Sequence, residues 1–188
     1  MSKPTLYIFA GANGCGKTTI AKRITKELEI SFINADEIAA KLSGQSNTTA
    51  GRVFFKDFET KVEEGVSFAI ESTLSGKTIV QRIQSARHRG FEVFIVYLFL
   101  NSPKTNIERV NERVKMNGHF VPHEDIIRRF YRSKKQFWKT YRFLCDAWVL
   151  LYNPSDSLTT VANGNNLTKE LKVLNQNLMN DFLDQVNL

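Results

Sequence analysis

The stretch Gly11-Ala-Asn-Gly-Cys-Gly-Lys-Thr18 limits the possible folds of this chain more than any other part of the sequence. It fits the pattern G-x-x-x-x-G-K-[ST], and it lies between an apolar run at 6–10 and a segment whose apolar residues recur with helical spacing. A strand, a glycine-rich turn and a helix in this order gather backbone N–H groups around a phosphate at the N-terminus of the helix. The motif therefore predicts nucleotide binding within an α/β fold.

Two side chains of this phosphate-binding loop have specific tasks. Lys17 is long enough to reach the β- and γ-phosphates of a nucleoside triphosphate, and the Thr18 hydroxyl can hold Mg²⁺. We therefore predict ATP and Mg²⁺ as the cofactors. We expect the nucleotide to contact the whole loop and the residue after it, namely Gly11, Ala12, Asn13, Gly14, Cys15, Gly16, Lys17, Thr18 and Thr19.

The rest of the chain alternates between apolar runs typical of strands and stretches of helical period. This alternation is typical of β-α units that build a parallel sheet. The predicted strands cover residues 6–10, 31–34, 67–70, 91–100 and 147–152. We therefore predict an α/β fold with a central five-stranded, mainly parallel sheet flanked by helices.

The length of 188 residues, 42% of them hydrophobic, is enough for one globular domain with a sizeable core. We assign residues 1–152 to the nucleotide-binding domain and residues 153–188 to a C-terminal extension. The extension is polar at first. Its last apolar residues predict an amphipathic helix that packs on the same domain: Leu171, Leu174, Leu178, Phe182 and Val186.

The composition indicates a cytoplasmic protein. Two cysteines lie far apart in the sequence, and residues 1–11 lack the basic segment and long apolar run of a signal peptide. The longest apolar run, at 91–100, is much shorter than the roughly 20 residues that a membrane-spanning helix needs. We therefore expect reduced thiols and no membrane partner.

The net charge of +7 is concentrated in one segment of the chain. Residues 104–142 contain 11 Lys and Arg against 4 acidic residues, which accounts for the whole surplus. A basic segment of this kind favours an anionic ligand, either a nucleic acid or a small molecule with several phosphates. The aromatic residues among these charges have the spacing of a helix core, whereas bases stack on exposed aromatic rings. Nucleic acid is therefore the less favoured ligand.

Asp36 follows the second predicted strand in the stretch Phe32-Ile-Asn-Ala-Asp-Glu-Ile-Ala39, and four roles suit a carboxylate there. It can cap a helix at 37–42, bind a metal, anchor a ribose, or act as the base that activates a hydroxyl. The loop lysine and threonine indicate a triphosphate and argue against the ribose anchor. Glu71, after the third strand, is the better candidate for the metal-side acid. Base and cap remain as compatible roles.

A second group of residues is assigned to the substrate or the transferred phosphate. Glu71 opens a loop that carries hydroxyl groups, where it can bind a water on Mg²⁺ or a sugar hydroxyl. Arg109 and Arg113 share a helix face, a repulsive arrangement that neighbouring acids or a bound anion would offset. Residues 115–122 contain a glycine and a proline, and we expect them to form a lid over the phosphates. The other substrate candidates are Thr73, Arg52, His119, Arg128 and Arg129.

Taken in order, several stretches resemble the zeta-toxin-like family of P-loop kinases. They are IFAGANGCGKTT, FINADEIA, AGR, FAIESTLSG, EVFIVYLFL, IERVNERV, NGHFVP and IIRRFYRS, and the resemblance covers roughly residues 5–152. It implies a P-loop NTPase kinase-type fold. It also implies an ATP- and Mg²⁺-dependent transfer of phosphate to the 3′-hydroxyl of UDP-N-acetylglucosamine.

The resemblance carries roles to particular residues. Lys17 and Thr18 become the phosphate and metal residues, Asp36 the catalytic base, Glu71 a substrate residue and Arg109 a phosphate-contacting arginine. The family has a further arginine just before its lid proline region. This chain has His119 in that stretch instead, so Arg128 or Arg129 is expected to supply the second charge. The resemblance ends before the extension, so it implies no particular antitoxin.

Three functions are compatible with these residues. The first is a kinase acting on a nucleotide sugar such as UDP-N-acetylglucosamine. The second is a kinase for another hydroxyl acceptor, such as a sugar, an antibiotic or a polynucleotide end. The third is a nucleotide-gated ATPase that binds nucleic acid through its basic segment. The sequence favours the first.

Overall fold

The computed structural model describes residues 3–42, 47–116, 118–154 and 157–187. The first half contains β1 Thr5–Ala10, α1 Lys17–Glu27, β2 Ser31–Ile33, α2 Ala35–Lys41, α3 Asn47–Glu64, β3 Phe68–Ser72, α4 Thr78–His88 and β4 Glu92–Phe99. The second half contains α5 Pro103–Lys115, α6 His123–Gln136, α7 Arg142–Leu144, β5 Ala147–Tyr152, β6 Thr159–Asn165, β7 Glu170–Val173 and α8 Gln176–Val186. A π-helical turn, Phe137–Tyr141, joins α6 to α7.

The strands form one mixed sheet in the order β2-β3-β1-β4-β5-β6-β7. The first five strands in this order are parallel, and β6 and β7 are antiparallel to their neighbours. Because β1 lies inside the sheet, between β3 and β4, the segments that follow these three strands meet at one edge. The predicted α/β fold with flanking helices is confirmed.

The predicted number of strands is wrong, because the sheet has seven strands within the described ranges instead of five. The two additional strands, β6 and β7, lie in the C-terminal extension. Leu171 belongs to β7 and Leu174 lies between β7 and α8, and both are exposed, so neither is part of the predicted helical stripe. The period-2 pattern of these strands is weak because Asn and Gly occupy much of β6.

Apolar side chains cover both faces of the sheet. The larger cluster contains the inward residues of α3, α4 and α8, and Phe182 of α8 packs edge-on against Tyr97 of β4. The smaller cluster contains Ile20 and Ala21 of α1. Side-chain caps begin several helices: the Ser102 hydroxyl accepts a hydrogen bond from the Lys104 N–H at α5, and Asn175 caps α8. These contacts hold the helices against the sheet.

No helix in the described ranges has both the length and the apolar character that a bilayer crossing requires. Both cysteines, Cys15 and Cys145, are free and buried.

Lys134 of α6 is a buried lysine that connects α8 to the end of β4. It is 1% exposed, and its Nζ donates hydrogen bonds to the Leu100 carbonyl at 2.7 Å and to Gln185 Oε1. Burial lowers the pKa of Lys134 to about 7. Asp181 acts in the opposite direction, as does the ring of Phe130, which lies 3.7 Å from Nζ and attracts the charged form.

We predict that Lys134 makes the free energy of unfolding depend on pH between about 7 and 10.5. In this window the unfolded lysine keeps a proton that the folded lysine has released, so stability rises with pH and is lost as the pH falls through 7. Urea unfolding of the wild type and the Lys134→Met variant measures this effect, with a slope of at most about 1.4 kcal/mol per pH unit. Lys135→Met, at an exposed neighbour, is the control. Parallel stability curves for the wild type and Lys134→Met would contradict the prediction.

Candidate active site

The phosphate-binding loop connects β1 to α1 at the carboxyl edge of the sheet. Gly11 and Gly14 have φ values of +135° and +80°, which side-chain-bearing residues rarely adopt. A Cβ on Gly14 would also lie 2.4 Å from the Asn106 carbonyl oxygen. Both positions therefore require glycine for backbone conformation, and Gly14 also requires it for close packing against α5.

Three side chains from distant parts of the chain hold the loop in place. Asn106 Nδ2 donates a hydrogen bond to the Asn13 carbonyl at 2.5 Å, and Asn153 Nδ2 donates to the Cys15 carbonyl at 2.9 Å. Arg129 Nη1 donates to Asn13 Oδ1 at 3.1 Å. Helix α5, the end of β5 and helix α6 are thus fixed to the loop that would bind phosphate.

Glu71, near the end of β3, bonds to both functional side chains of the loop. Its Oε2 accepts hydrogen bonds from Thr18 Oγ1 at 2.7 Å and from Asn34 Nδ2 at 2.9 Å. Its Oε1 lies 3.5 Å from Lys17 Nζ, which also donates to the Ala12 carbonyl at 2.9 Å. Lys17 is only 5% exposed, so this ion pair is well shielded from water. A triphosphate that enters the loop must compete with Glu71 for Lys17.

Two clefts open on either side of this network. The first has a volume of about 560 Å³ and is lined by Asn13, Gly14, Gly16, Lys17, Thr18, Thr19, Ile20, Arg23, Asp36, Glu71, Arg109, Arg113, Asn153 and Leu158. The second has a volume of about 410 Å³ and is lined by Asn13, Asn34, Ala35, Asp36, Gly51, Phe54, Phe55, Glu71, Ser72, Thr73, Leu74, Ser75, Gly76, Thr78, Ile79 and Arg129. Asn13, Asp36 and Glu71 line both clefts. The two carboxylates therefore lie at the boundary between them.

The capping role considered for Asp36 is wrong. Helix α2 spans Ala35–Lys41, and its N-cap is Asn34, whose Oδ1 accepts hydrogen bonds from the N–H groups of Asp36 and Glu37. Asp36 therefore lies in the first turn of α2, where its charge interacts favourably with the helix dipole. Its exposed side chain is free of the capping task and lines both clefts.

The arginine candidates differ in where the structure places them. Arg129 lines the second cleft, contacts Asn13 and lies 3.3 Å from Asp125. Arg109 lines the first cleft, but its guanidinium donates to the carbonyls of Asn153 and Pro154. Arg128 is exposed, pairs with Asp125 and lines neither cleft. Of the two candidates on α6, only Arg129 is at the site.

Of the remaining substrate candidates, one lines a cleft and two do not. Thr73 lines the second cleft, and its Oγ1 is 2.9 Å from Ser75 Oγ. Arg52 and His119 are exposed and line neither cleft, although the His119 carbonyl accepts a hydrogen bond from Arg113.

In the segment 115–122, which is predicted to form a lid, the described residues include one that is buried between the helices on either side. Val121 is buried beside Val110 of α5 and Ile126 of α6. Asn117, within the proposed lid, lies outside the described residues.

The loop residues that line neither cleft form the buried side of the phosphate-binding loop. They are Gly11, Ala12 and Cys15, and the last is completely buried. Burial raises the pKa of the Cys15 thiol, although the Lys17 charge acts in the opposite direction. The thiol therefore remains protonated and serves as a small packing residue below the loop.

Sequence reasoning did not include three asparagines that the structure places at the site. The sequence pattern around Asn34 predicts only the end of a strand. Asn153 directly follows β5, at the carboxyl edge where ligands bind in such sheets. Asn106 is a fully buried polar residue three positions before Arg109 on α5. The position of Asn153 directly after β5, and that of Asn106 three residues before Arg109, are the sequence features that point to these two residues.

The donor set fits Mg²⁺ brought in with a nucleotide. In the described part of the chain no three His, Cys, Asp or Glu side chains are grouped so as to hold a metal ion. Mg²⁺ usually takes one or two protein ligands, with phosphates and waters as the others. Thr18 and Glu71, whose oxygens are 2.7 Å apart, are suitable for this arrangement.

Comparison with known proteins gives the family and the fold. A family model described as Zeta toxin matches residues 1–159. An uncharacterized protein from Haemophilus influenzae is 35% identical over 127 residues, which cover 65% of this chain and 89% of that protein.

The chain is also similar in fold to solved structures. A chain of the AvrRxo1-ORF1:-ORF2 structure with ATP gives a TM-score of 0.74 at 18% identity, over 96% of this chain and 63% of that chain. This chain thus spans less than two thirds of that protein. A structure of the PezAT chromosomal toxin-antitoxin system of Streptococcus pneumoniae gives a TM-score of 0.63 at 14% identity, over 100% of this chain and 87% of that chain.

We predict that the Glu71→Gln variant binds ATP more tightly than the wild type when EDTA removes divalent ions. The substitution removes the negative charge that competes for Lys17, and loss of one charge-assisted contact corresponds to about 1.5 kcal/mol, or roughly tenfold in Kd. With Mg²⁺ present the gain should disappear, because the glutamine is a poorer metal ligand than the carboxylate. Isothermal titration calorimetry measures both.

The matched control is Glu37→Gln, which neutralises a neighbouring carboxylate that pairs with Lys22 instead of the loop. Equal affinity of the wild type and Glu71→Gln for ATP in EDTA would contradict the competition between Glu71 and the triphosphate.

Proposed function

The chain belongs to the zeta toxin family, and we propose that it is an ATP-dependent kinase that phosphorylates a hydroxyl group of a nucleotide sugar such as UDP-N-acetylglucosamine. The observation that carries this proposal is that Asp36 and Glu71 line both clefts of the site. A nucleotide in one cleft and an acceptor in the other would meet at these two carboxylates.

ATP is assigned to the first cleft. This cleft contains Lys17, Thr18 and the glycines of the phosphate-binding loop, and the N-terminus of α1 points into it. Lys17 would bind the β- and γ-phosphates after it leaves Glu71. Arg113 and Arg23 add positive charge to the same cleft, which suits a ligand with several phosphates.

The acceptor is assigned to the second cleft. Its hydroxyl-bearing lining residues, Ser72, Thr73, Ser75 and Thr78, can exchange hydrogen bonds with a polyhydroxylated ligand. Phe54 and Phe55 of α3 add aromatic rings to the same lining, suitable for the face of a sugar or a base. The mixture of hydroxyls and aromatic rings supports a nucleotide-sugar acceptor.

Asp36 is assigned the role of general base. Its carboxylate would accept the proton of the acceptor hydroxyl as the oxygen of that hydroxyl attacks the γ-phosphorus. The new O–P bond forms while the bond between the γ-phosphorus and the β,γ-bridging oxygen breaks, so that ADP leaves. The proton ends on Asp36, and no other reactant is needed.

The charge of the transferred phosphoryl group is balanced by cations at the boundary of the clefts. Lys17 is one, and Arg129 is the second, because it contacts Asn13 where the two clefts meet. Arg109 would contribute only after its guanidinium leaves the carbonyls of Asn153 and Pro154. Thr18 and Glu71 would hold Mg²⁺, which neutralises phosphate charge when bound.

ATP and nucleotide sugars are cytoplasmic metabolites, and we place the reaction in that compartment. By analogy with the PezAT system, which is a toxin-antitoxin system, we propose an antitoxin as a partner.

We predict that Asp36→Asn keeps ATP affinity but lowers the rate of phosphoryl transfer by roughly 100-fold or more, since a positioned base typically contributes 10²–10⁴-fold. Calorimetry measures the binding, and release of ADP in the presence of acceptor measures the turnover. Glu37→Gln, one residue further along α2, is the control and should keep full activity. Unchanged turnover in Asp36→Asn would exclude Asp36 as the base.

The acceptor is tested by incubation of the protein with ATP, Mg²⁺ and a panel of nucleotide sugars, followed by mass spectrometry. We expect UDP-N-acetylglucosamine to gain the mass of one phosphoryl group. Phosphorylation of a free sugar, an antibiotic or a polynucleotide end instead would support the kinase assignment and contradict the proposed acceptor. ATP binding without transfer to any of these would contradict the kinase itself.

A further inference from the structure

β7 is the last strand of the sheet, and most of its side chains are exposed. It pairs with β6 on one side, and no strand among the described residues pairs with its other side. Three leucines near this edge are at least half exposed: Leu167 at 69%, Leu171 at 52% and Leu174 at 50%. An exposed strand edge with apolar side chains is a site at which another strand can add.

The hydrogen bonds of β7 show which of its backbone groups face outward. The Leu174 N–H donates to the Val161 carbonyl at 2.8 Å, so this pair is of the hydrogen-bonded type. Hydrogen-bonded and non-hydrogen-bonded pairs alternate along an antiparallel ladder. Lys172 and Glu170 therefore direct their backbone groups to β6, and Leu171 directs its N–H and C=O to the open edge.

We propose that β7 pairs antiparallel with β7 of a second copy of this chain, with a two-fold axis at Leu171. The two Leu171 residues then exchange two backbone hydrogen bonds across the axis. Glu170 of each copy lies opposite Lys172 of the other, in a closely spaced non-hydrogen-bonded pair, so the sequence Glu-Leu-Lys is complementary to itself. An axis one residue further along would place Lys172 opposite Lys172, which like-charge repulsion disfavours.

The side chain of Leu171 extends the apolar face of the sheet toward this axis. Leu171 pairs with Gly164, which pairs with Trp148, so the three residues lie in one row across the sheet. A Cβ on Gly164 would lie 2.5 Å from the Trp148 ring, which shows that the indole covers the glycine on this face. Two Leu171 side chains at the axis would bury their exposed halves against each other and continue the core between the two copies.

Charge reversal tests this arrangement with the full chain. Sedimentation equilibrium should show a concentration-dependent dimer for the wild type. Glu170→Lys alone and Lys172→Glu alone should be monomeric, because each places like charges opposite each other at both ends of the pair. An equimolar mixture of these two variants should dimerise again. Arg132→Glu, which reverses an exposed charge on α6, should dimerise like the wild type.

Hydrogen exchange identifies the surface of any dimer that forms. The Leu171 amide should be protected at high protein concentration and exchange freely at low concentration. Circular dichroism confirms that the charge variants are folded. A wild type that is monomeric throughout, a mixture of the variants that stays monomeric, or a dimer in which Leu171 protection does not depend on concentration would each overturn the proposal.

Discussion

The parallel pairing of β1 with β3 and β4 brings the candidate active site together. In this register Phe9 of β1 pairs with Glu71 of β3, so the carboxylate lies beside the strand that leads into the phosphate-binding loop. Lys17 and Thr18, at the end of that loop, can then reach Glu71. No local sequence pattern links Glu71 to these two residues. The site is therefore a product of strand register. A shift of one residue would move Glu71 to the other face of the sheet.

The charge of Lys17 in the phosphate-binding loop is already compensated in the free protein, so an entering ligand must replace existing contacts. Lys17 is nearly buried, and an unpaired ammonium there would be costly, so Glu71 and the Ala12 carbonyl compensate it. Phosphate oxygens can replace both partners. Glu71 would then keep its contact with Thr18, where the two side chains would be placed to hold a metal ion. The same carboxylate thus stabilises the free loop and suits the bound one.

The parts of the site that follow from local pattern were predictable from the sequence. The phosphate-binding loop and the bounds of β5 depend on residues close together in the chain. The contacts of Asn106 and Asn153 join segments far apart in the sequence, and no periodicity encodes them. The strands β6 and β7 were missed because Asn, Gly and charged residues weaken their alternation. Pairing with β5 overrides that low strand propensity.

A crystal structure with Mg²⁺ and a non-hydrolysable ATP analogue tests the central claim most directly, because that claim concerns where the γ-phosphate lies. The account predicts the triphosphate in the first cleft, Lys17 on the β- and γ-phosphates, and the γ-phosphate directed at Asp36 and the second cleft. A γ-phosphate directed away from the second cleft, with Asp36 out of reach of any acceptor hydroxyl beside it, would contradict the account.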